Sequence, residues 1–210
     1  GSSSSIGYIV AMIKRGEQWG VPTTCTSGDV FVHGDQGLAL SSVNDRLIVH
    51  GGDIAHCLGD PPQPAVGDNC FEVPIDALRV SITMRNGMIH TKIAASNVMI
   101  GGWLRGRLVC VSNGGFIGPR NVSPRAHPND GFLDLMSLDS SMRLQQRFRA
   151  RHKSALGTHT PHPLIEAGRT RSVEFSSLSR SEALRIDGSR IPGWISVHIE
   201  IVPDYWRLLV

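Results

Sequence analysis

In one stretch of this chain, the apolar run Arg46–His50 drives directly into Gly51-Gly52-Asp53 and then Ile54–Leu58. Strand, glycine turn and helix start, in that order, present backbone amides at a helix N-terminus, where a phosphate is well received. An ordinary turn would use the same residues. A second stretch runs from Leu108–Val111 into Asn113-Gly114-Gly115 and leaves through Asn129-Asp130-Gly131 into Phe132–Leu138. Between these points lie Arg120, Arg125, His127 and several prolines, with no helical period. Two strands joined by a long, polar, turn-rich loop fit this pattern, and such a loop is more often functional or disordered than idle. Arg120 and Arg125 are its candidates for phosphate contact, although solvation of a surface loop would also explain them. Asp187-Gly188 sits between apolar runs, where a turn is the simplest reading. His159 and His162 lack a third ligand within reach by sequence, so they read as polar loop residues rather than a metal site.

Those residues must be positioned by a chain of 210 residues, long enough to bury a sizeable core in one large domain or two small ones. Twenty-three glycines and twelve prolines, set against few long helical patterns, favour a β-rich or mixed fold. No apolar run approaches the roughly 20 residues that span a bilayer as a helix. Gly1–Ser5 reads as a tag-like remnant and not as a secretory leader. Cys25, Cys57, Cys70 and Cys110 show no CxxC pairing, so reduced thiols in a cytoplasmic protein are the expectation.

Net charge is only +3, but it is unevenly spread. Arg143, Arg147, Arg149, Arg151 and Lys153 form a basic block with no acid among them. The pattern predicts a helix from Ser140 to about Leu156, capped by Asp139 or Ser140, with Leu144, Phe148, His152 and Ala155 on one face. It is either a solvated surface helix or a peripheral contact for an anionic membrane surface. No nucleic-acid role is expected, because aromatic platforms are lacking nearby.

Short strands are expected at Tyr8–Ile13, Val30–Val32 and Arg46–His50, with a short helix over Leu38–Val43. After a proline-rich linker, Gly59–Gly67, the chain turns β. Leu78–Met84 and Met88–Ala94 flank Asn86-Gly87, the strongest short hairpin signal. Further strands are expected at Val98–Ile100, Arg107–Ser112, Arg171–Phe175, Ala183–Ile186, Trp194–Val202 and Tyr205–Val210.

Asn113-Gly114, followed by Pro124-Arg-Ala-His-Pro-Asn-Asp-Gly-Phe-Leu-Asp134, resembles a signature of the diacylglycerol kinase and bacterial lipid kinase superfamily, which has an NAD-kinase-like fold. The resemblance covers residues 46–60, 75–138 and 165–210. It implies a mainly β (α+β) protein: a β-sandwich-like C-terminal domain at 68–210 carrying one basic helix, after a reduced αβ nucleotide-binding domain at 1–60. It also implies ATP and magnesium as cofactors. Gly51, Gly52 and Asp53 would then lie at the nucleotide. Magnesium would be held through the Asp130 side chain and the backbone carbonyls of His127 and Phe132, oxygen donors suited to a hard dication. Asp187 would be the base that deprotonates the acceptor hydroxyl.

The sequence departs from the family pattern at Ile54-Ala55, where relatives carry Gly-Thr, and at Ser189, where they carry Glu. Two readings follow. One is an ATP-dependent kinase acting on a lipid or related small hydroxyl compound, cytoplasmic and peripheral at the membrane. The other is a non-catalytic relative that binds lipid or a protein partner through its sheet domain. Binding without turnover, as a nucleotide or small-molecule sensor, is a third. A homodimer would be one way to complete the shortened nucleotide domain.

Overall fold

The computed structural model describes residues 19–210, so the strand expected over Tyr8–Ile13 lies outside the described residues. The described chain opens with β1 (Val21–Thr24) and β2 (Val30–His33), enters the short helix α1 (Gly34–Ala39), and repeats the pattern with β3 (Arg46–His50) and α2 (Gly52–Cys57). The chain continues through β4 (Asn69–Met84), β5 (Ile89–Ala94), β6 (Asn97–Gly101), β7 (Leu108–Ser112), β8 (Phe116–Ile117), β9 (Arg120–Asn121) and β10 (Leu133–Leu138). Helix α3 (Leu144–Lys153) runs into a 3₁₀ turn at Ser154–Leu156. It is followed by β11 (Ile165–Thr170), β12 (Ser172–Ser176), β13 (Leu184–Ile186), β14 (Ser189–Ile191) and β15 (Trp194–Leu209).

The result is mainly β, with two sheets in a sandwich-like arrangement and few helices. One sheet has the order β1-β4-β15-β3-β2, with β5 beside β4 and β12 beside β15; the other runs β11-β10-β7-β6-β13-β14. The Asn86-Gly87 hairpin forms as expected: Gly87 takes φ +80° and the Asn86 side chain accepts the Met88 amide. Strands β7 and β10 flank the long loop and pair directly, Asp134 opposite Ser112 through Leu138 opposite Leu108.

Alternation along the long strand β4 explains how one ribbon serves two cores. Leu78, Val80 and Ile82 point to one face and meet Val98, Ile100, Val109 and Val111 of the second sheet. Val73, Ile75 and Ala77 point to the other face and pack with Leu38 of α1 and Ile54 of α2. Successive side chains of a strand alternate between faces, so a run buried on both sides needs apolar residues at both parities. Strand β3 pairs in parallel with β15, Arg46 opposite Arg207, so the two αβ units share a sheet with β4 and β15.

The basic helix differs from its sequence reading. It begins at Leu144, and the stripe Leu144–Phe148 faces outward, with Leu144 51% and Phe148 49% exposed. The buried face carries Arg147, Ala150 and, beyond the helix, Ser154. Periodicity sets Leu144 and Phe148 on one face and would ordinarily turn such a stripe inward. A buried arginine overrides it, because the Arg147 guanidinium finds carbonyl partners below the helix and must face them. Among the described residues no helix is long and apolar enough to cross a membrane.

Candidate active site

Strands β2 and β3 run in parallel, with His33 opposite His50, and each ends at a glycine of positive φ before a short helix. Their two helix starts therefore stand side by side. Asp35, in the first turn of α1, reaches across. Its Oδ2 accepts the Asp53 amide at 2.7 Å and its Oδ1 accepts the Ile54 amide at 3.0 Å. Two donors that a helix leaves unpaired at its N-terminus are satisfied by this carboxylate. Gly52 is needed for the approach, since a Cβ there would lie 2.8 Å from both the amide nitrogen and Oδ1 of Asp35.

Asp53 faces the other way. Its Oδ1 accepts the Gly118 amide at 2.7 Å, and its Oδ2 accepts from Asn97 Nδ2 at 2.9 Å and Ser96 Oγ at 3.1 Å. Gly118 lies between β8 and β9, so one carboxylate ties α2 to the tip of the long loop and to the turn before β6. Asp187, at φ +43° in the turn between β13 and β14, grips that same turn. Its Oδ2 accepts the Ala95 amide at 2.8 Å, while Oδ1 accepts the amides of Ser96 and Asn97 at 3.0 and 2.9 Å. Gln36 Nε2 adds bonds to the Asp187 carbonyl and to Ser189 Oγ, at 3.0 and 2.9 Å. Thus Asp53 and Asp187, separated by more than a hundred residues of chain, both hold Ser96-Asn97, while Gly52 packs against Asp35.

Three carboxylates in one region repel one another and are partly removed from water. Burial first, and the Asp35 charge next, push the Asp53 carboxyl up to about 6, against the lowering effect of its hydrogen bonds. Burial also raises Asp35, and it raises Asp187 despite three amide donors. No arginine or lysine among the described residues forms a salt bridge with any of the three.

The remaining sequence candidates stand elsewhere in the loop. Asp130 pairs with Arg169, and its Oδ1 accepts the Phe132 amide at 3.1 Å. The Phe132 ring lies under the guanidinium groups of Arg169 and Arg171, at 4.9 and 5.4 Å. His127 stacks edge-on to Trp19 at 4.7 Å, and burial lowers its pKa. Fully buried Asp76 holds this segment in place, accepting the amides of Gly131 and Asp204 at 2.8 and 2.9 Å and Asn129 Nδ2 at 3.0 Å. Asn113 joins the two regions. Its Nδ2 donates to the carbonyls of Asp76 at 2.7 Å and Ala95 at 3.2 Å.

Arg120 and Arg125 part company. Arg120 lines a cleft of about 400 Å³ with Phe148 and Arg151. Arg125 lines a cavity of about 1030 Å³ with Asp134, Leu135, His162, Ile165 and Arg169. None of the three clustered carboxylates lines that cavity; its connection to them is the loop limb after β9. Asp134 is 4% exposed, its pKa is pushed up to about 6 by burial, and its Oδ2 has no hydrogen-bond partner.

Sequence reasoning missed Asp35, Gln36, Ser96, Asn97, Asn113, Gly118 and Asp76 as site residues. For Asp35 a signal was present: Val30–Val32 before Gly34-Asp35 repeats the strand–glycine–aspartate order of Arg46–Asp53. Ser96-Asn97 and Asp76 carry no local signature, because their importance comes from pairing across strands.

A family model, the YegS C-terminal NAD kinase beta sandwich-like domain, matches residues 76–210. The chain belongs to this family. Its YegS-type sandwich thus takes in the Asp187 turn, the long loop and Asp76, while Asp35 and Asp53 come from the αβ units before the match. Two solved structures of a putative diacylglycerol kinase from Bacillus anthracis str. Sterne share the fold. One has a TM-score of 0.52 at 14% identity and the other 0.51 at 17%, each alignment covering 86% of this chain and 77% of that one. Among curated proteins no match is found. The structural likeness extends the shared fold beyond the YegS C-terminal domain into the αβ units.

Proposed function

We propose that the protein is a lipid-kinase-like phosphotransferase, passing a phosphoryl group from ATP to the hydroxyl of a lipid or related amphiphile. The observation that supports this reading best is the convergence of Asp53, which follows the Gly51-Gly52 turn, and Asp187 on Ser96-Asn97. Phosphoryl transfer requires mainly positioning and charge neutralisation, so a few well-held groups suffice. The glycine turn and Asp53 would receive the nucleotide side. Asp187 would act as the base, since burial raises its pKa and Oδ2 accepts only one amide.

Among the described residues no three His, Cys, Asp or Glu side chains are placed to hold a metal ion together, so magnesium would arrive with the nucleotide and complete its oxygen shell with phosphate and water. Bound there, the ion would neutralise phosphate charge. Asp53 is its first candidate ligand. Asp130, with the carbonyls of His127 and Phe132, would contribute only by exchanging the existing Arg169 ion pair for the metal.

One observation favours the non-catalytic alternative. The Asp35 carboxylate takes the Asp53 and Ile54 amides that would otherwise meet phosphate.

Product formation from magnesium ATP and dispersed diacylglycerol or another long-chain alcohol tests the reading. Transfer should rise with pH through about 6, as Asp53 ionises, and should fall at least tenfold in Asp53→Asn. A folded protein that phosphorylates no member of a broad alcohol panel would leave the binding module as the better account.

A further inference from the structure

Helix α3 is built the wrong way round for a helix that meets only water. Its spacing offers Leu144 and Phe148 as an apolar stripe one turn apart, yet both stand about half exposed, and Leu156 beyond them is 78% exposed. The face that packs on the sheet instead buries Arg147 to 2% exposure. That guanidinium is accommodated by donating to the carbonyls of Met142 at 2.9 Å and Asp139 at 2.8 Å, and to those of Gly102 and Gly106. Buried Met142 and Ala150 supply the apolar contacts.

The charge around the exposed stripe has one sign. From Ser140 to Ile165 the sequence has no aspartate or glutamate. Arg143, Arg149 and Lys153 are exposed along the helix, and Arg151 shares a cleft with Arg120 and Phe148. Arg147 also fastens the loop before β7, which carries Leu104, 59% exposed, next to exposed Arg105.

We propose that this face of α3 is a docking surface for an anionic phospholipid bilayer. Leu144 and Phe148 enter the headgroup region while the flanking arginines and Lys153 meet lipid phosphates. Half-exposed apolar side chains ringed by cations are the pattern of helices that lie in the plane of a membrane interface. Cations alone would serve any polyanion; the outward apolar stripe favours a bilayer over a soluble polyanion, on which those side chains would stay in water. The inference does not depend on the phosphotransfer reading, since a non-catalytic relative would dock in the same way.

Sedimentation of the full chain with phosphatidylcholine vesicles, with and without phosphatidylglycerol, tests it. Binding is expected only to the anionic vesicles and should weaken as salt rises. The double variant Leu144→Ser/Phe148→Ser should lose on the order of tenfold in vesicle affinity while its retention on heparin stays unchanged. Arg149→Gln/Lys153→Gln should lose both by similar factors. Either of two results overturns the proposal: no association of folded protein with anionic vesicles, or vesicle binding that the apolar double variant leaves intact. The second would mark the helix as a site for soluble polyanions.

Discussion

Arg147→Met is expected to lower the folding stability by about 3 kcal/mol or more, although the residue lies on a helix that otherwise reads as surface. The substitution conserves much of the apolar stem but leaves the carbonyls of Met142, Asp139, Gly102 and Gly106 facing a thioether. Hydrogen bonds from a charged donor are worth about 1.5–3 kcal/mol each when measured singly, and those sharing one guanidinium do not add in full. Arg149→Met, one turn-step away on the exposed face, should stay within about 0.5 kcal/mol of the parent. Urea midpoints of the two variants, at unchanged slope, check the contrast. Equal midpoints would mean that the Arg147 network contributes nothing.

The second large effect is expected at Asp187. Its carboxylate collects the amides of Ala95, Ser96 and Asn97, and so fixes the turn that also presents Ser96 and Asn97 to Asp53. Asp187→Ala should destabilise by about 2–4 kcal/mol, because three amides lose their acceptor and alanine is strained at the positive φ. Asp187→Asn should cost less. Asparagine tolerates that backbone angle and keeps one acceptor oxygen, although its NH₂ must then face an amide donor. Any loss of activity in these variants therefore has to be read beside their thermal or urea midpoints. An Asp187→Ala protein as stable as the parent would contradict the role of this side chain in holding the turn.

Much of the architecture can be read from local chemistry. Asn86-Gly87 announces its hairpin because such a turn needs a residue at positive φ, a place that Gly87 alone takes here while Asn86 does not. The apolar runs around Val109 and Leu135 announce the two strands that flank the loop. Other features resist such reading for physical reasons. Strand β4 begins at Asn69, well before the expected Leu78, since residues buried on both faces do not alternate cleanly. The facing of α3 depends on carbonyls from the turn just before the helix and from the distant loop before β7, which no periodicity registers. In the site, Asp53 and Asp187 could be singled out, whereas Asp35 could not be tied to Asp53. That pairing exists only because β2 and β3 lie parallel and bring their helix starts together. The separation of Arg120 from Arg125 is likewise tertiary, as Arg120 is held in β9 and Arg125 follows in the turn beyond that strand.

If Asp53 and its neighbouring carboxylates receive the nucleotide, ATP should bind there together with magnesium. Calorimetric titration of the folded protein with ATP, with and without magnesium and beside Asp53→Asn, tests it most directly. Saturable binding is expected with magnesium. None is expected for ATP alone, because Asp35, Asp53 and Asp187 repel its phosphates, and the substitution should abolish or strongly weaken the signal. No heat at millimolar magnesium ATP, or equal binding in the variant, would contradict the account.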